Sequence, residues 1–170
     1  MDYKKLTDDD QMDLAYLEHD KSHVIDKYGD RLRGLEKALK YYSQPTPQLY
    51  RGLYKEEVQQ LGELGKGKPF SFKGYLSFSE KLKVGLSFGH GSRFVLTVKG
   101  ATGFSLWKYR TSTIESIRLS DPHEFDSIDG QYIIDSAMAE KEWILARNTK
   151  FEIVDYKVGH GYTVIEAKQV

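Results

Sequence analysis

A chain of 170 residues, 39% of them hydrophobic and 13% aromatic, is long enough to bury one sizeable core and short enough to form a single domain. Its 25 basic and 25 acidic side chains cancel, so no overall charge draws it towards phosphate, and the absence of cysteine excludes a disulfide framework, thiolate metal sites and a cysteine nucleophile. Met1 to Lys5 carries no apolar leader and no run approaches the roughly 18 apolar residues of a membrane span, so a soluble, cytoplasmic monomer is expected.

Thr7-Asp8-Asp9-Asp10 reads as a helix cap followed by acids that complement the positive end of the helix dipole, with Leu14 and Leu17 beginning an apolar stripe that resumes at Val24, Ile25 and Tyr28. Leu32, Leu35, Leu39 and Tyr42 recur at three- and four-residue intervals among basic residues, an amphipathic helix that stops before Ser43-Gln44-Pro45-Thr46-Pro47. Residues 1–48 are therefore a helical part and 49–170 a β-rich core of the same domain. His19 and His23 read as surface histidines, and with no second cluster at ligand spacing no metal is expected.

Leu49-Tyr50-Arg51-Gly52-Leu53 is a short strand with an arginine out of place in its middle, followed by a helix around Val58, Leu61 and Leu64. Phe70 to Ser79 reads as one strand of period two. Phe70, Phe72, Leu76 and Phe78 face a core, while Ser77 and Ser79 place two hydroxyls on the other face, a geometry suited to orienting another side chain. Glu80 to Leu86 reads as a helix, Ser87 to Ser92 as a glycine-rich turn, and Arg93 to Val98 and Gly103 to Trp107 as strands. From Lys108 to Gly130 the pattern is poor: Ile114, Ile117 and Leu119 fit a helical turn or a short strand, broken at Ser120-Asp121-Pro122-His123. Glu140-Lys141-Glu142 then runs into Trp143-Ile144-Leu145, the pattern of a loop that climbs onto a buried strand and carries its acids to the edge of a cleft. The strands Phe151 to Val158 and Tyr162 to Ala167 close the chain as a hairpin about Gly159-His160-Gly161. Helices first and strands later make an α+β arrangement, with a mixed, mainly antiparallel core of two sheets.

An arginine on a Tyr-Arg-Gly strand, a Ser-x-Ser on an aromatic strand and a Glu-x-Glu entering a later strand follow one another in order. In this the chain resembles the mono-ADP-ribosyltransferases of the Arg, Ser-x-Ser, Glu-x-Glu type, the exoenzyme-like group that includes binary-toxin catalytic domains and the Alt and Mod-type enzymes of bacteriophages. Leu32-Arg33, Leu49 to Leu53, Gly74 to Ser79 and Glu140 to Phe151 carry the resemblance, with Phe78 standing where threonine is commoner. It implies a cleft for NAD, used as substrate, with Glu142 on the ribose 2′-hydroxyl, Ser77 holding Glu142 by a hydrogen bond, and Arg51 gripping the pyrophosphate. Gly52 and Ser79 would belong to the same site, Phe88 would pack near nicotinamide, and Arg93 would be a second phosphate ligand.

By the same resemblance Glu140 engages the acceptor, and a glutamate there implies an arginine of a target protein, ADP-ribose being transferred as nicotinamide is released. Water as acceptor (an NAD glycohydrolase), a nucleic-acid acceptor and an inactive binding domain on the same scaffold are the competing readings. With no signal peptide or translocation domain in the sequence, a phage protein acting in the bacterial host cytoplasm is expected ahead of a toxin's catalytic subunit or an injected effector.

Overall fold

The structure is a computed structural model that describes residues 2–17, 33–62, 64–89 and 91–170. His19, His23, His90, Leu32 and the stripe at Val24, Ile25 and Tyr28 lie outside the described residues.

The chain opens with helix α1 (Asp8–Leu17), whose cap is reciprocal: Asp10 N donates to Thr7 Oγ1 at 3.2 Å and Thr7 N to Asp10 Oδ2 at 2.7 Å. Asp10 also accepts from Lys37 Nζ at 2.8 Å, which ties α1 to helix α2 (Arg33–Tyr42). Of the predicted stripe on α2, Leu35 and Tyr42 are buried and Leu39 is partly buried, with Ala38 buried between them. The two helices cross at Gly34, where a Cβ would lie 2.3 Å from the carbonyl oxygen of Asp10.

Strands β1 (Gln44–Pro45) and β2 (Leu49–Gly52), helix α3 (Lys55–Leu61), strands β3 (Pro69–Phe70) and β4 (Leu76–Ser79) and helix α4 (Leu82–Ser87) follow. Strands β5 (Phe94–Lys99) and β6 (Thr102–Ser105) lead into three consecutive helices, α5 (Leu106–Ser120), α6 (Pro122–Ser127) and α7 (Gly130–Glu140). Strands β7 (Glu142–Leu145), β8 (Phe151–Gly159) and β9 (Tyr162–Gln169) complete the chain. Positive φ at His160 and Gly161 makes the two-residue turn between β8 and β9 that was expected there.

The architecture is α+β, as expected. Among the described residues hydrogen bonding runs through nine strands in the order β1-β6-β7-β4-β2-β5-β9-β8-β3, so the two anticipated sheets are continuous. All neighbours are antiparallel except β5 and β9. One face carries a core that includes Leu49, Leu76, Phe78, Leu96, Trp143 and Phe151; the other packs Phe104 and Ile144 against Leu14 and Leu35 of the N-terminal helices. Among the described residues no helix is long and apolar enough to cross a membrane.

Three local readings change. Phe70 to Ser79 is two strands, because the chain leaves β8 after Phe70 and bends before joining β7 at Leu76; its even positions still share one core. Leu106 and Trp107 are not strand but the first turn of α5, which Ser105 caps by accepting from Lys108 N at 3.2 Å. The stretch from 108 to 140 is three helices, interrupted at Asp121, within the expected break at Ser120-Asp121-Pro122-His123, and at Ile128-Asp129, with a small core of its own at Ile114, Phe125 and Ile134.

Gly34→Ala forces the α1 and α2 backbones apart, and overpacking of this kind costs about 1–3 kcal/mol. A chemical-denaturation curve of the variant should show the midpoint lowered with its slope unchanged.

Candidate active site

The β4–β7 ladder builds the site. Ser79 stands opposite Glu142 and Ser77 opposite Ile144. Directly opposed residues share a face, so the Ser77, Ser79 and Glu142 side chains emerge together, with Ser77 diagonal to Glu142, while Phe78 and Trp143 point into the other core. The carboxylate predicted to hold the ribose and the serine predicted to support it are therefore neighbours. Glu142 has 0% of its surface exposed.

Glu140 is not in a loop. It is the last residue of α7, and Lys141, with φ of 48°, caps the helix in the left-handed region before Glu142 starts β7. This reversal points the two acids into different surroundings: the Glu140 side chain is 44% exposed, against the burial of Glu142. The end of β4 fixes the joint. Ser79 Oγ donates to the Glu140 carbonyl at 2.6 Å and accepts from Lys81 N at 3.0 Å, Glu80 N donates to the Lys141 carbonyl at 3.1 Å, and Trp143 Nε1 donates to Glu80 Oε2 at 3.1 Å. Ser79 is fully buried and its hydroxyl is committed to this joint.

Arg51 sits differently. Leu49 and Leu53, on either side of it, belong to the core of the opposite sheet face, so alternation puts Arg51 on that face and Tyr50 and Gly52 on the face of Glu142. Strands β2 and β4 pair only at Tyr50 and Ser79 and then part. In the gap Arg51 Nη1 donates to the Ser77 carbonyl at 3.1 Å, while Nη2 donates to both oxygens of Glu57 at 3.0 and 3.1 Å and Nε to Glu57 Oε2 at 3.4 Å. A cavity of about 380 Å³ opens beside it, lined by Arg51, Tyr54, Glu57, Phe72, Tyr75 and Leu76. Burial, then the hydrogen bond to the Glu36 carboxylate, raises the Tyr75 hydroxyl above its ordinary pKa, keeping it a neutral donor.

Gly52 meets the end of α4 main chain to main chain: a Cβ there would lie 2.5 Å from Gly89 N and 2.6 Å from the Leu86 carbonyl oxygen. Phe88, partly buried, caps α4 between Leu86 and Gly89 in the chain. Arg93 is exposed just before β5, with φ of 63°, its carbonyl accepting from Thr163 N. A second cavity of about 420 Å³ lies by Tyr54, Val58, Gly89 and Ser92, and neither cavity is lined by Ser77, Glu140 or Glu142. Among the described residues no group of three or more His, Asp or Glu side chains is placed to hold a metal.

Two charged residues of this region escaped the sequence reading. Glu57, the partner of Arg51, also accepts from Tyr54 N at 3.0 Å, and that bond to the third residue of a helix was its one visible signal. Arg110, buried on α5, brings Nη1 to 3.8 Å from Glu140 Oε2. Lys141 Nζ lies 3.9 Å from the centre of the Trp107 ring, a second tie between α5 and the joint.

This architecture is that of the ADP-ribosyltransferase fold, as the three motifs led us to expect. The chain superposes on Vis, an ADP-ribosyltransferase from Vibrio splendidus solved with agmatine, at a TM-score of 0.65 and 15% identity over 99% of this chain and 77% of that one. Exoenzyme S from Pseudomonas aeruginosa, solved with human 14-3-3 protein beta and carba-NAD, matches at 0.61 and 17% over 98% and 76%. An ADP-ribosyltransferase from Clostridium botulinum matches at 0.59 and 16% over 96% and 87%. No family model and no curated protein matches the sequence. At these identities the likeness is one of fold, and chemistry has to be argued from the site.

Ser79→Ala leaves the partly buried Glu140 carbonyl and the Lys81 amide without their hydroxyl, a loss of about 1 kcal/mol. Scanning calorimetry should therefore show a clearly lowered midpoint for this variant.

Proposed function

We propose that the chain is an NAD-dependent mono-ADP-ribosyltransferase that moves ADP-ribose to an arginine of a target protein. The observation that carries this reading is the division of Glu140-Lys141-Glu142 into one carboxylate with no exposed surface, beside Ser77, and one that reaches solvent two residues earlier.

In this reading Glu142 takes the ribose 2′-hydroxyl. The bond between C1′ and the nicotinamide nitrogen breaks with its electron pair going to the ring, neutral nicotinamide leaves, and C1′ gains oxocarbenium character that the nearby carboxylate stabilises, as in glycoside cleavage. A guanidino nitrogen of the acceptor then forms the new bond at C1′ and yields a proton to Glu140. Ser77, diagonal to Glu142, supports its orientation. Because Glu142 is wholly buried, cofactor binding must displace part of its cover.

Support for an arginine acceptor comes from two sources. The Glu140 carboxylate already has one guanidinium beside it, that of Arg110 at 3.8 Å. The Vis structure holds agmatine, a small guanidinium compound. A carboxylate that orients a planar cation suits this acceptor better than a neutral amide would.

The test is to separate the two acids. With NAD and a bacterial extract, Glu142→Gln should slow nicotinamide release and protein labelling together by at least about 10²-fold, the scale on which a transition-state charge contact acts. Glu140→Gln should suppress labelling while leaving most NAD hydrolysis. Mass spectrometry should place the label on arginine; a label on another residue or on nucleic acid would overturn the acceptor, and no nicotinamide release by the unaltered chain would overturn the enzyme.

A further inference from the structure

Arg51 poses a problem that the three-motif reading leaves unsolved. All three of its nitrogens donate to groups of the chain itself: Nη1 to the Ser77 carbonyl, Nη2 and Nε to Glu57. The two side chains are nearly buried, at 8% and 13% exposure, and their closest approach is 3.0 Å. A guanidinium that turned to a pyrophosphate would leave the nearly buried Glu57 carboxylate with only the Tyr54 N–H as donor, and breaking one side of such a pair is unfavourable.

The place where the pair sits gives it a different task. Strands β2 and β4 hydrogen-bond at Tyr50 and Ser79 and then separate, so the next carbonyl of the ladder, that of Ser77, would lose its strand partner. Arg51 supplies one. Glu57 lies in the first turn of α3, anchored through Oε1 to Tyr54 N, and so aims the guanidinium from a fixed point; the Arg51 guanidinium carbon also lies 5.4 Å from the centre of the Tyr54 ring. The chain of contacts runs from α3 through Glu57 and Arg51 to the main chain of Ser77, whose side chain stands beside Glu142.

We infer that Glu57 is a positioning residue for the transfer: by clamping Arg51 on the Ser77 carbonyl it holds β4 parted from β2 and fixes Ser77 against Glu142. The inference rests on the proposed function for its catalytic consequence. It assigns the Glu57–Arg51 pair to kcat, through the geometry of Ser77 and Glu142, and away from NAD affinity.

The test compares the unaltered chain with Glu57→Gln and Glu57→Asp. Gln keeps an oxygen for Tyr54 N but removes the charge; Asp keeps the charge on a shorter stem. The expected result for Glu57→Gln is a fall in kcat for nicotinamide release of about 10–100-fold, the scale of small misplacements at a reacting centre, with KM for NAD and the Kd of carba-NAD within about threefold. Glu57→Asp should recover part of kcat. Tighter carba-NAD binding in Glu57→Gln would overturn the inference, because it would make Glu57 a competitor of the pyrophosphate for Arg51; an unchanged kcat would overturn it too. Hydrogen exchange over residues 76–79 in the same proteins separates this inference from the functional reading. Faster exchange in Glu57→Gln supports the clamp even if the unaltered chain releases no nicotinamide, an outcome that sinks the enzyme alone; unchanged exchange sinks the clamp whatever the activity.

Discussion

The ladder between β4 and β7 is the constraint on which the rest depends, because a strand has only two faces and a shift of one residue exchanges them. Pairing Ser79 with Glu142 sends both serines and the glutamate to one side and Phe78 and Trp143 to the other. The apolar residues hold the register by burial, and the polar ones inherit their meeting place from it. A ring at position 78 is therefore no loss to the site: Phe78 is fully buried in the opposite core, so the side chain that departs from the commoner threonine never faces Glu142.

A second constraint is the reversal at Lys141. A helix that continued one residue further would carry both acids around its own surface, whereas the left-handed cap ends α7 at Glu140 and begins an extended strand at Glu142. Acids two residues apart thus acquire different environments, one dry and one wet, which is what a reaction with separate donor and acceptor ends requires. The hydrogen bonds from Ser79 and Glu80 into this turn make the Ser-x-Ser and Glu-x-Glu motifs parts of one structural unit.

Much of this was legible because strands announce themselves by alternation. Alternation marked Phe70 to Ser79, an aromatic and aliphatic run marked Leu49 to Leu53, and the apolar run Trp143-Ile144-Leu145 marked the buried strand after Glu140-Lys141-Glu142; Leu76 to Ser79 and Glu142 to Leu145 then pair in one register. The helices from 106 to 140 were hidden for identifiable reasons. The inner face of α5 is Leu106, Tyr109, Arg110 and Ile114, and the buried arginine interrupts the apolar stripe, while Leu119, which invited a different grouping, is 80% exposed. Helix α7 buries only Gly130, Ile134 and Ala137 and leaves Tyr132 and Met138 in solvent, so its residues carry little helical period. Glu57 was missed because its pairing with Arg51 depends on how the chain turns at Leu53 and Tyr54, and spacing along the chain does not encode that turn.

The central claim is that the buried acid at the start of β7 is the cofactor carboxylate. The structure of the chain bound to carba-NAD tests it most directly. The expected complex has the ribose 2′-hydroxyl within hydrogen-bonding distance of the Glu142 carboxylate, with Ser77 beside it and Arg51 still on the Ser77 carbonyl. The analogue seated in the cavity beside Tyr54 and Tyr75, with Glu142 still covered, would contradict it.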